Sequence, residues 1–370
     1  MNSKEPIRVA QVIGKMCAGG VETVVFNYYR ELDHRKVQFD FYYDSDSTVE
    51  PSQELIDMGA RFIKLPPYQK IFKYMFQLWK YLRKEKYVII HSHLNTLSVF
   101  PLTVAWAARI PNRIAHNHSV PEGNEWRRNT LKKILRQFSK VFATDFYACS
   151  EKAGRWLFGD EVFDSGKVRI IRNAIDFSKF REDQEKRDMT KEQLGLSEMF
   201  VVGHVGRFTY AKNHLFLIEI FKSFKEIVPN SKLLLVGDGE LHDEIVNYIK
   251  DCHLEKDVVL TGKVGNPEKY YAICDVIVVP SHFEGLSMTT IESQVAGIPV
   301  IVSKAIPPEA VISDGCKFMS LNSSALEWAH AINQMKNKQV TLSLNSNAYK
   351  LQYNVKKLEN LYLESSFRKK

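Results

Sequence analysis

The chain of 370 residues is predicted to be an α/β protein, with two doubly wound domains facing a central cleft. Three observations predict this. Short β-branched runs alternate with longer amphipathic stretches from end to end, the pattern of parallel strands joined by crossover helices. The alternation stops at Asp176 to Ser197 and then restarts. The length also suits two domains of roughly 100 to 200 residues each.

In the first half the expected strands are Ile7 to Ile13, Val37 to Tyr43, Arg61 to Leu65, Val88 to Ser92, Arg113 to Asn117, Phe146 to Cys149 and Val168 to Arg172. Asp176 to Ser197 contains Arg-Glu-Asp-Gln-Glu-Lys-Arg-Asp and has no strand character, so it reads as a linker. The second half is expected to hold strands at Phe200 to Val205, Lys232 to Val236, Val258 to Thr261, Val276 to Val279 and Pro299 to Val302. Near the C-terminus Leu351, Val355, Leu358 and Tyr362 recur at helical spacing, giving a helix with one apolar stripe. Domains are expected at 1–176 and 177–344, with the terminal helix over 345–370.

Composition is that of an ordinary globular protein, 45% hydrophobic and 25% charged, which excludes disordered, collagen-like and coiled-coil classes. Five scattered cysteines offer neither a disulfide framework nor zinc-ligand spacing. The N-terminal apolar stretch is broken by Gly14 and Lys15, too short for a secretory signal. No apolar run reaches the ~20 residues that cross a bilayer. A soluble, cytoplasmic protein is expected.

The strongest motif is Glu284-Gly-Leu-Ser-Met-Thr-Thr-Ile-Glu292, directly after an expected strand and the turn Pro280-Ser-His-Phe. Gly285 permits a tight turn, and Ser287 or Thr289 can cap a helix whose free N–H groups bind phosphate. Glu292 then lies about 7 Å along that helix, placed to accept hydrogen bonds from ribose hydroxyls. Gly206-Arg207-Phe-Thr-Tyr-Ala-Lys212 leaves the first strand of the second domain and forms a cationic clamp for a diphosphate. Gly19-Gly20-Val-Glu22 opens a helix after the first strand of the chain, without the spacing of a dinucleotide or ATP-binding loop. Gly237-Asp238-Gly239 reads as a turn. His91-Ser-His93 and His116-Asn-His118 end two strands; no carboxylate or Cys nearby completes a metal set, so hydrogen bonding to a polar ligand is favoured, with His118 in the cleft. Asp44-Ser-Asp46 has metal-binding DxD spacing in a run of ordinary turn residues.

Together these residues resemble the retaining family-four glycosyltransferases of the GT-B fold, two Rossmann-like domains facing a cleft. The group includes bacterial polysaccharide and lipid-linked sugar transferases. The resemblance rests on Glu284 to Glu292, Gly206 to Lys212, Gly19 to Glu22, Asn173-Ala-Ile-Asp176 and His118, in order along nearly the whole chain. It departs at Asn173-Ala174, where Asn-Gly is commoner, and at Ser293-Gln294.

The resemblance implies an N-terminal acceptor domain, a C-terminal nucleotide-sugar domain and a last helix crossing back to the first domain. It implies that Arg207 and Lys212 hold the donor diphosphate with backbone N–H groups of Gly20, Gly285, Leu286 and Ser287. Glu292 would hold the ribose, with Lys263 and Val264 near the base. His118 and Glu284 would contact the donor sugar, closest to the chemistry, and Gly19, Glu22 and Asn173 would line the acceptor side. No metal and no cofactor is implied, only a nucleotide diphosphate sugar, by family frequency a UDP-sugar. The sugar would pass with retention to the hydroxyl of a lipid-linked saccharide in capsular or extracellular polysaccharide synthesis.

The net charge of +8 is concentrated, since residues 61–140 hold sixteen Lys or Arg against three acids. From Ile71 to Lys84, Met75, Leu78 and Leu82 are expected to form a buried stripe, with Lys73, Lys80 and Lys84 opposite and Tyr74, Phe76 and Tyr81 flanking them. From Trp126 to Phe142, Leu131, Ile134, Leu135 and Phe138 are expected inside, with Lys132, Lys133, Arg136 and Lys140 outside. Basic residues with aromatics suit an anionic lipid surface, so residues 70–86 and 127–140 are expected to touch the inner face of the cell membrane. Two rivals are a nucleotide-sugar epimerase or hydrolase of the same fold and a nucleic-acid-binding protein. No nucleic-acid signature accompanies the charge, so nucleic acid is not expected as a partner.

Overall fold

The computed structural model describes residues 5–17, 20–119, 126–180 and 183–367, with backbone alone over 126–131. The chain forms two compact units. One runs up to Ile175 and takes back the chain from Ala348 onward; the other is Asp176–Asn347.

The first unit holds seven strands: β1 (Ile7–Gly14), β2 (Val37–Asp44), β3 (Arg61–Leu65), β4 (Ile89–Ser92), β5 (Asn112–Asn117), β6 (Asp145–Ala148) and β7 (Val168–Ile170). Its helices are α1 (Gly20–Glu31), α2 (Gln53–Asp57), α3 (Ile71–Glu85), α4 (Val99–Ala107), α5 (Trp126–Phe138), α6 (Glu151–Phe158) and α7 (Asp160–Asp164). The strands are parallel in the order β3-β2-β1-β4-β5-β6-β7, so the winding reverses between β1 and β4. Both faces are apolar, as a parallel sheet covered on both sides requires. Val9, Phe39, Phe41, Ile89 and Ile114 meet Tyr28 and Tyr29 of α1 on one face. Ala10, Val12, Tyr42, Ile90 and Ala115 meet Tyr74, Leu78 and Leu82 of α3 on the other.

The second unit contains α8 (Gln184–Gln193), β8 (Phe200–Val205), α9 (His214–Ile227), β9 (Ser231–Val236), α10 (His242–Asp251), β10 (Val258–Leu260), α11 (Glu268–Ala272), β11 (Val276–Val279), α12 (Met288–Val295), β12 (Val300–Ser303), β13 (Cys316–Met319) and α13 (Ala325–Met335). Its parallel sheet runs β10-β9-β8-β11-β12-β13 and reverses between β8 and β11. The edge strand β13 is not among the expected strands. Cys-Lys-Phe-Met has no β-branched residue, and pairing to β12 supplies what local preference does not.

The last helix, α14 (Leu351–Ser366), belongs to the first unit. It buries Leu351, Val355, Leu358 and Tyr362 beside α1 and β1, a burial worth about 1.5–3 kcal/mol for each large aliphatic side chain.

Three expectations change. Residues 176–197 are no bare linker: Phe177–Phe180 form a short 3₁₀ turn, and α8 opens on Asp183, whose side chain accepts a hydrogen bond from the Lys186 N–H. The stretch looks polar because its helix is largely exposed. On α3, Tyr74 is buried and Met75 only half-buried, whereas Phe72 and Phe76 are 87% and 68% exposed. On α5 the expected inside residues Ile134 and Phe138 are exposed, and the helix ends at Phe138; Leu131, Arg127 and Arg128 lie outside the described side chains.

Candidate functional site

Because each sheet is parallel, its βα loops leave along one edge, and the winding reversal opens a crevice there where ligands bind in this architecture. In the second unit this point lies between β8 and β11, and the loops there interlock. His282 N–H donates to the Ala211 carbonyl at 2.8 Å, Asn213 Nδ2 to the Pro280 carbonyl at 3.1 Å, and Thr289 Oγ1 to the Val205 carbonyl at 2.7 Å. The Tyr210 and His282 rings stack at 4.7 Å. Gly237-Asp238-Gly239 is the scaffold of the Arg207 loop: Gly206 N–H donates to Val236 and Phe208 N–H to Asp238. Gly237 has φ +141°, and a Cβ there would fall 2.0 Å from the Gly206 carbonyl oxygen, so only glycine fits.

On this frame Lys212 Nζ lies 2.5 Å from Glu284 Oε1, which also accepts from Ser281 Oγ at 3.2 Å. The expected diphosphate clamp and the expected sugar-binding carboxylate are thus paired with each other. Arg207 is 74% exposed and only loosely near Glu240, at 3.6 Å. Ser287, fully buried, is the N-cap of α12, its Oγ accepting from the Thr290 N–H. Gly285 and Leu286 form the turn before it. Glu292 accepts from Tyr271 Oη at 2.7 Å; burial pushes its carboxyl pKa up, and the tyrosine bond works in the opposite direction. Lys263, exposed, and Val264, half-buried, follow β10 along the same edge. A helix N-terminus beside Lys212 and Arg207 suits an anion, and Glu292 suits a polyol.

The reversal point of the first unit has a different chemistry. Gly20 is exposed at the start of α1, and the Glu22 carboxylate accepts from the Cys17 N–H. Gly19 lies outside the described residues. Register pairs Gln11 with His91, and His91 with Ile114, so Gln11, His91, His93, His116 and His118 share one face of β1, β4 and β5 and their carboxyl ends. All five are buried. His91 Nε2 lies 3.0 Å from His116 Nδ1, and His93 Nδ1 lies 2.8 Å from His118 Nε2. His93 Nε2 lies 2.8 Å from Gln11 Oε1, and His91 Nδ1 is 2.6 Å from Tyr362 Oη of α14. Gln11 Nε2 donates to the same hydroxyl at 3.0 Å. His118 Nδ1 lies 3.2 Å from Asn173 Oδ1.

Burial keeps all four histidines neutral: the pKa of His118 is held down to about 4, and those of His91, His93 and His116 lie well below the usual value. Ring nitrogens of His91, His93 and His116 come within 4.8 Å of one another. The His91 and His93 rings stack, however, with centroids 4.1 Å apart and planes 29° from parallel, so their in-plane lone pairs run side by side instead of converging on one ion.

His118 therefore sits deeper than expected, and both its ring nitrogens are partnered. To offer a nitrogen to a sugar it must give up Asn173 or His93. Sequence reasoning misses Gln11, Tyr362 and Tyr271. Gln11 had a readable signal, an amide between the apolar residues Val9-Ala10 and Val12-Ile13 of a strand; the tyrosines had none.

Residues 186–356 match the family described as "Glycosyl transferases group 1", and residues 18–179 match "Glycosyltransferase Family 4". EpsF of Bacillus subtilis (strain 168), a glycosyltransferase by its name, is 30% identical over 98% of this chain and 97% of its own length. The chain belongs to the family-four glycosyltransferases. The UDP-Gal:alpha-D-GlcNAc-diphosphoundecaprenol alpha-1,3-galactosyltransferase of Escherichia coli is 31% identical over 63% of this chain and 62% of its own. Among solved structures, Anabaena HepE in complex with UDP-glucose superposes with a TM-score of 0.77 at 18% identity, covering 97% of this chain and 100% of that one. The protein is thus a GT-B glycosyltransferase, and the two sheets reversing at matching points are its two Rossmann-like halves.

Proposed function

We propose that this glycosyltransferase moves a hexose from a UDP-sugar, with retention, to a hydroxyl of a lipid-linked saccharide in capsular or extracellular polysaccharide synthesis. The observation that carries the reading is the edge of the second sheet, where Lys212, Arg207, the capped start of α12 and Glu292 lie on loops fastened to one another. Arg207, Lys212 and the N–H groups of Gly285 to Ser287 take the diphosphate. The incoming phosphate competes with Glu284 for Lys212, and the carboxylate so released turns to sugar hydroxyls. Glu292 holds the ribose, with Tyr271 fixing its direction; Lys263 and Val264 lie by the base. In the first unit, Gly20 is our candidate phosphate N–H and His118 our candidate sugar contact, with Glu22 and Asn173 proposed for the acceptor.

No carboxylate is assigned as a nucleophile. The leaving phosphate, neutralised by the cations, takes the acceptor proton on the face it departs from. The UDP-sugar donors and lipid-linked acceptor named for the relatives above support the substrate class. Among the described residues no helix is long and apolar enough to cross a membrane. On α3, Phe72, Phe76 and Trp79 are exposed, with Lys73, Lys80 and Lys84 beside them, and this helix is our candidate for the membrane face.

A panel of nucleotides in a thermal-shift assay tests the donor site. UDP at 100 times its Kd should stabilise by ~2.7 kcal/mol, and Arg207→Ala or Glu292→Ala should remove most of the shift. No shift with any nucleoside diphosphate, or a full shift in both variants, defeats the reading. Release of free sugar without acceptor extension would instead indicate a hydrolase.

A further inference from the structure

The groups at the first reversal point form one unbranched chain: Asn173, His118, His93, Gln11, Tyr362, His91, His116. Each link needs one hydrogen, and a neutral imidazole carries a single N–H, so it donates at one nitrogen and accepts at the other. An amide that uses both its groups donates on one side and accepts on the other; the Tyr362 hydroxyl could accept from both neighbours, but its own buried O–H would then be left without an acceptor, so the satisfied arrangement is donation to one and acceptance from the other. With every buried hydrogen satisfied, the direction of donation does not change part-way along.

The two amides show the constraint at work. Gln11 presents Oε1 to His93, and Asn173 presents Oδ1 to His118. If both oxygens accept, His93 Nδ1 and His118 Nε2 face each other at 2.8 Å with no proton between them. A third proton would make the pair cationic in a buried site. Turning one amide by 180° solves this at no charge. With Asn173 turned, donation runs from Asn173 to His116 and every histidine carries its proton on Nε2. With Gln11 turned, donation runs the other way and every histidine carries it on Nδ1. His116 Nε2 ends the chain outside good hydrogen-bond geometry, but the Ile171 backbone acts on this ring as an acceptor, which favours a proton on Nε2 and hence donation running from Asn173 to His116.

We propose that Gln11, His91, His93, His116 and Tyr362 are positioning residues: a one-directional hydrogen-bond chain that fixes the tautomer of His118 and so decides whether its Nδ1 donates to or accepts from the sugar. The tautomer part stands on the geometry alone; the catalytic part rests on the proposed role of His118. Tyr362 is the link contributed by α14, 351 residues along the chain from Gln11, so the C-terminal helix helps set the state of a residue on the N-terminal sheet.

The test is long-range ¹H–¹⁵N NMR of histidine-labelled protein at neutral pH, without donor. All four histidines should show the same tautomer; a mixture among them overturns the proposal. Tyr362→Phe removes one link, so the His118–His93 and His91–His116 pairs should lose their agreement. In kinetics kcat should fall on the order of tenfold, the scale of a lost orienting partner, with KM within about twofold. Unchanged His118 nitrogen signals in that variant overturn the coupling. Should Tyr362→Phe fail to fold, Asn173→Asp serves: the carboxylate only accepts, so all four histidines, including distant His116, should become the Nδ1–H form. His116 remaining Nε2–H would refute the chain. If the tautomers agree but His118→Ala keeps full activity, the chain stands and the assignment of His118 to the sugar fails.

Discussion

The two sheets reverse their winding at equivalent points, yet the crevices are furnished with opposite chemistry. In the second unit the loops after β8 and β11 carry Arg207, Lys212, Glu284 and Glu292, charged groups partly open to solvent. In the first unit the ends of β1, β4 and β5 carry Gln11 and four buried, neutral histidines. A diphosphate needs charge to neutralise it, and charge can be held near water at low cost. A sugar needs directed hydrogen bonds, which a dry and neutral array keeps in one geometry. On the proposed reading, one topology thus supplies an anion site and a polyol site.

Removing charge from the second crevice should have the largest effect. Lys212→Met keeps the length of the side chain and deletes the ammonium. If Lys212 neutralises the leaving diphosphate, kcat/KM should drop by roughly 10²–10³, as for loss of one strong electrostatic contact to a transition state. The variant also frees Glu284 from its 2.5 Å partner, so Lys212→Met with Glu284→Gln should recover folding stability without recovering turnover. A fall of less than about threefold in the single variant, well below that range, would place the clamp elsewhere.

Acid tests His118 in the neutral crevice, together with two buried histidines of the second unit, His204 on β8 and His214 on α9. His118 and His204 have pKa values lowered by burial to about 4, and His214 to about 2, against 6.5 in the unfolded chain. Above pH 6.5 these groups are neutral in both states and the folded form pays nothing. Below it the unfolded chain binds protons that the folded chain refuses, so stability falls with pH until the folded values are reached. Each such histidine costs about 1.4 kcal/mol per pH unit in that window. Melting temperature should therefore decline from pH 6.5 toward 4. His118→Gln, which cannot titrate, should flatten the slope by about one histidine's share; an unchanged slope would mean that His118 is protonated in the folded protein.

Much of this was legible in the sequence, and the exceptions share a cause. Among the described residues, the alternation of β-branched runs with amphipathic stretches locates twelve of the thirteen strands, because central parallel strands are apolar on both faces. Only the edge strand β13 escapes, since its pairing is tertiary. The loops we propose for the donor were legible as Gly-, Ser- and charge-bearing segments after strands, and the structure fastens them to one another. The histidine array was only half readable. Alternation put His91 with His93 and His116 with His118, but sheet register joined the two pairs, and α14 brought in Tyr362 from the far end of the chain. Helix faces misled where amphipathicity is not burial: Tyr74 turns inward while Ile134 and Phe138 face out.

The smallest effect belongs to the surface that distinguishes the first unit, α3. Phe72 and Phe76 lie four residues apart, Trp79 follows at the next helical step, and Arg83 sits over the Trp79 ring at 5.8 Å. Left in water, this ridge costs apolar exposure; against lipid it would bury the aromatics while Lys73, Lys80 and Lys84 meet anionic headgroups, each cation worth about 1 kcal/mol near such a surface. Turnover of a short water-soluble acceptor should not depend on this face, whereas turnover of a lipid-linked acceptor in vesicles should. Charge reversal at Lys73, Lys80 and Lys84 should abolish sedimentation with anionic liposomes and lower only the vesicle rate. Phe72→Ser with Phe76→Ser should weaken binding by a smaller factor and leave its salt dependence intact, because the long-range attraction remains. Sedimentation unchanged in the charge-reversed protein would remove α3 from the membrane and leave its basic face an ordinary solvated surface.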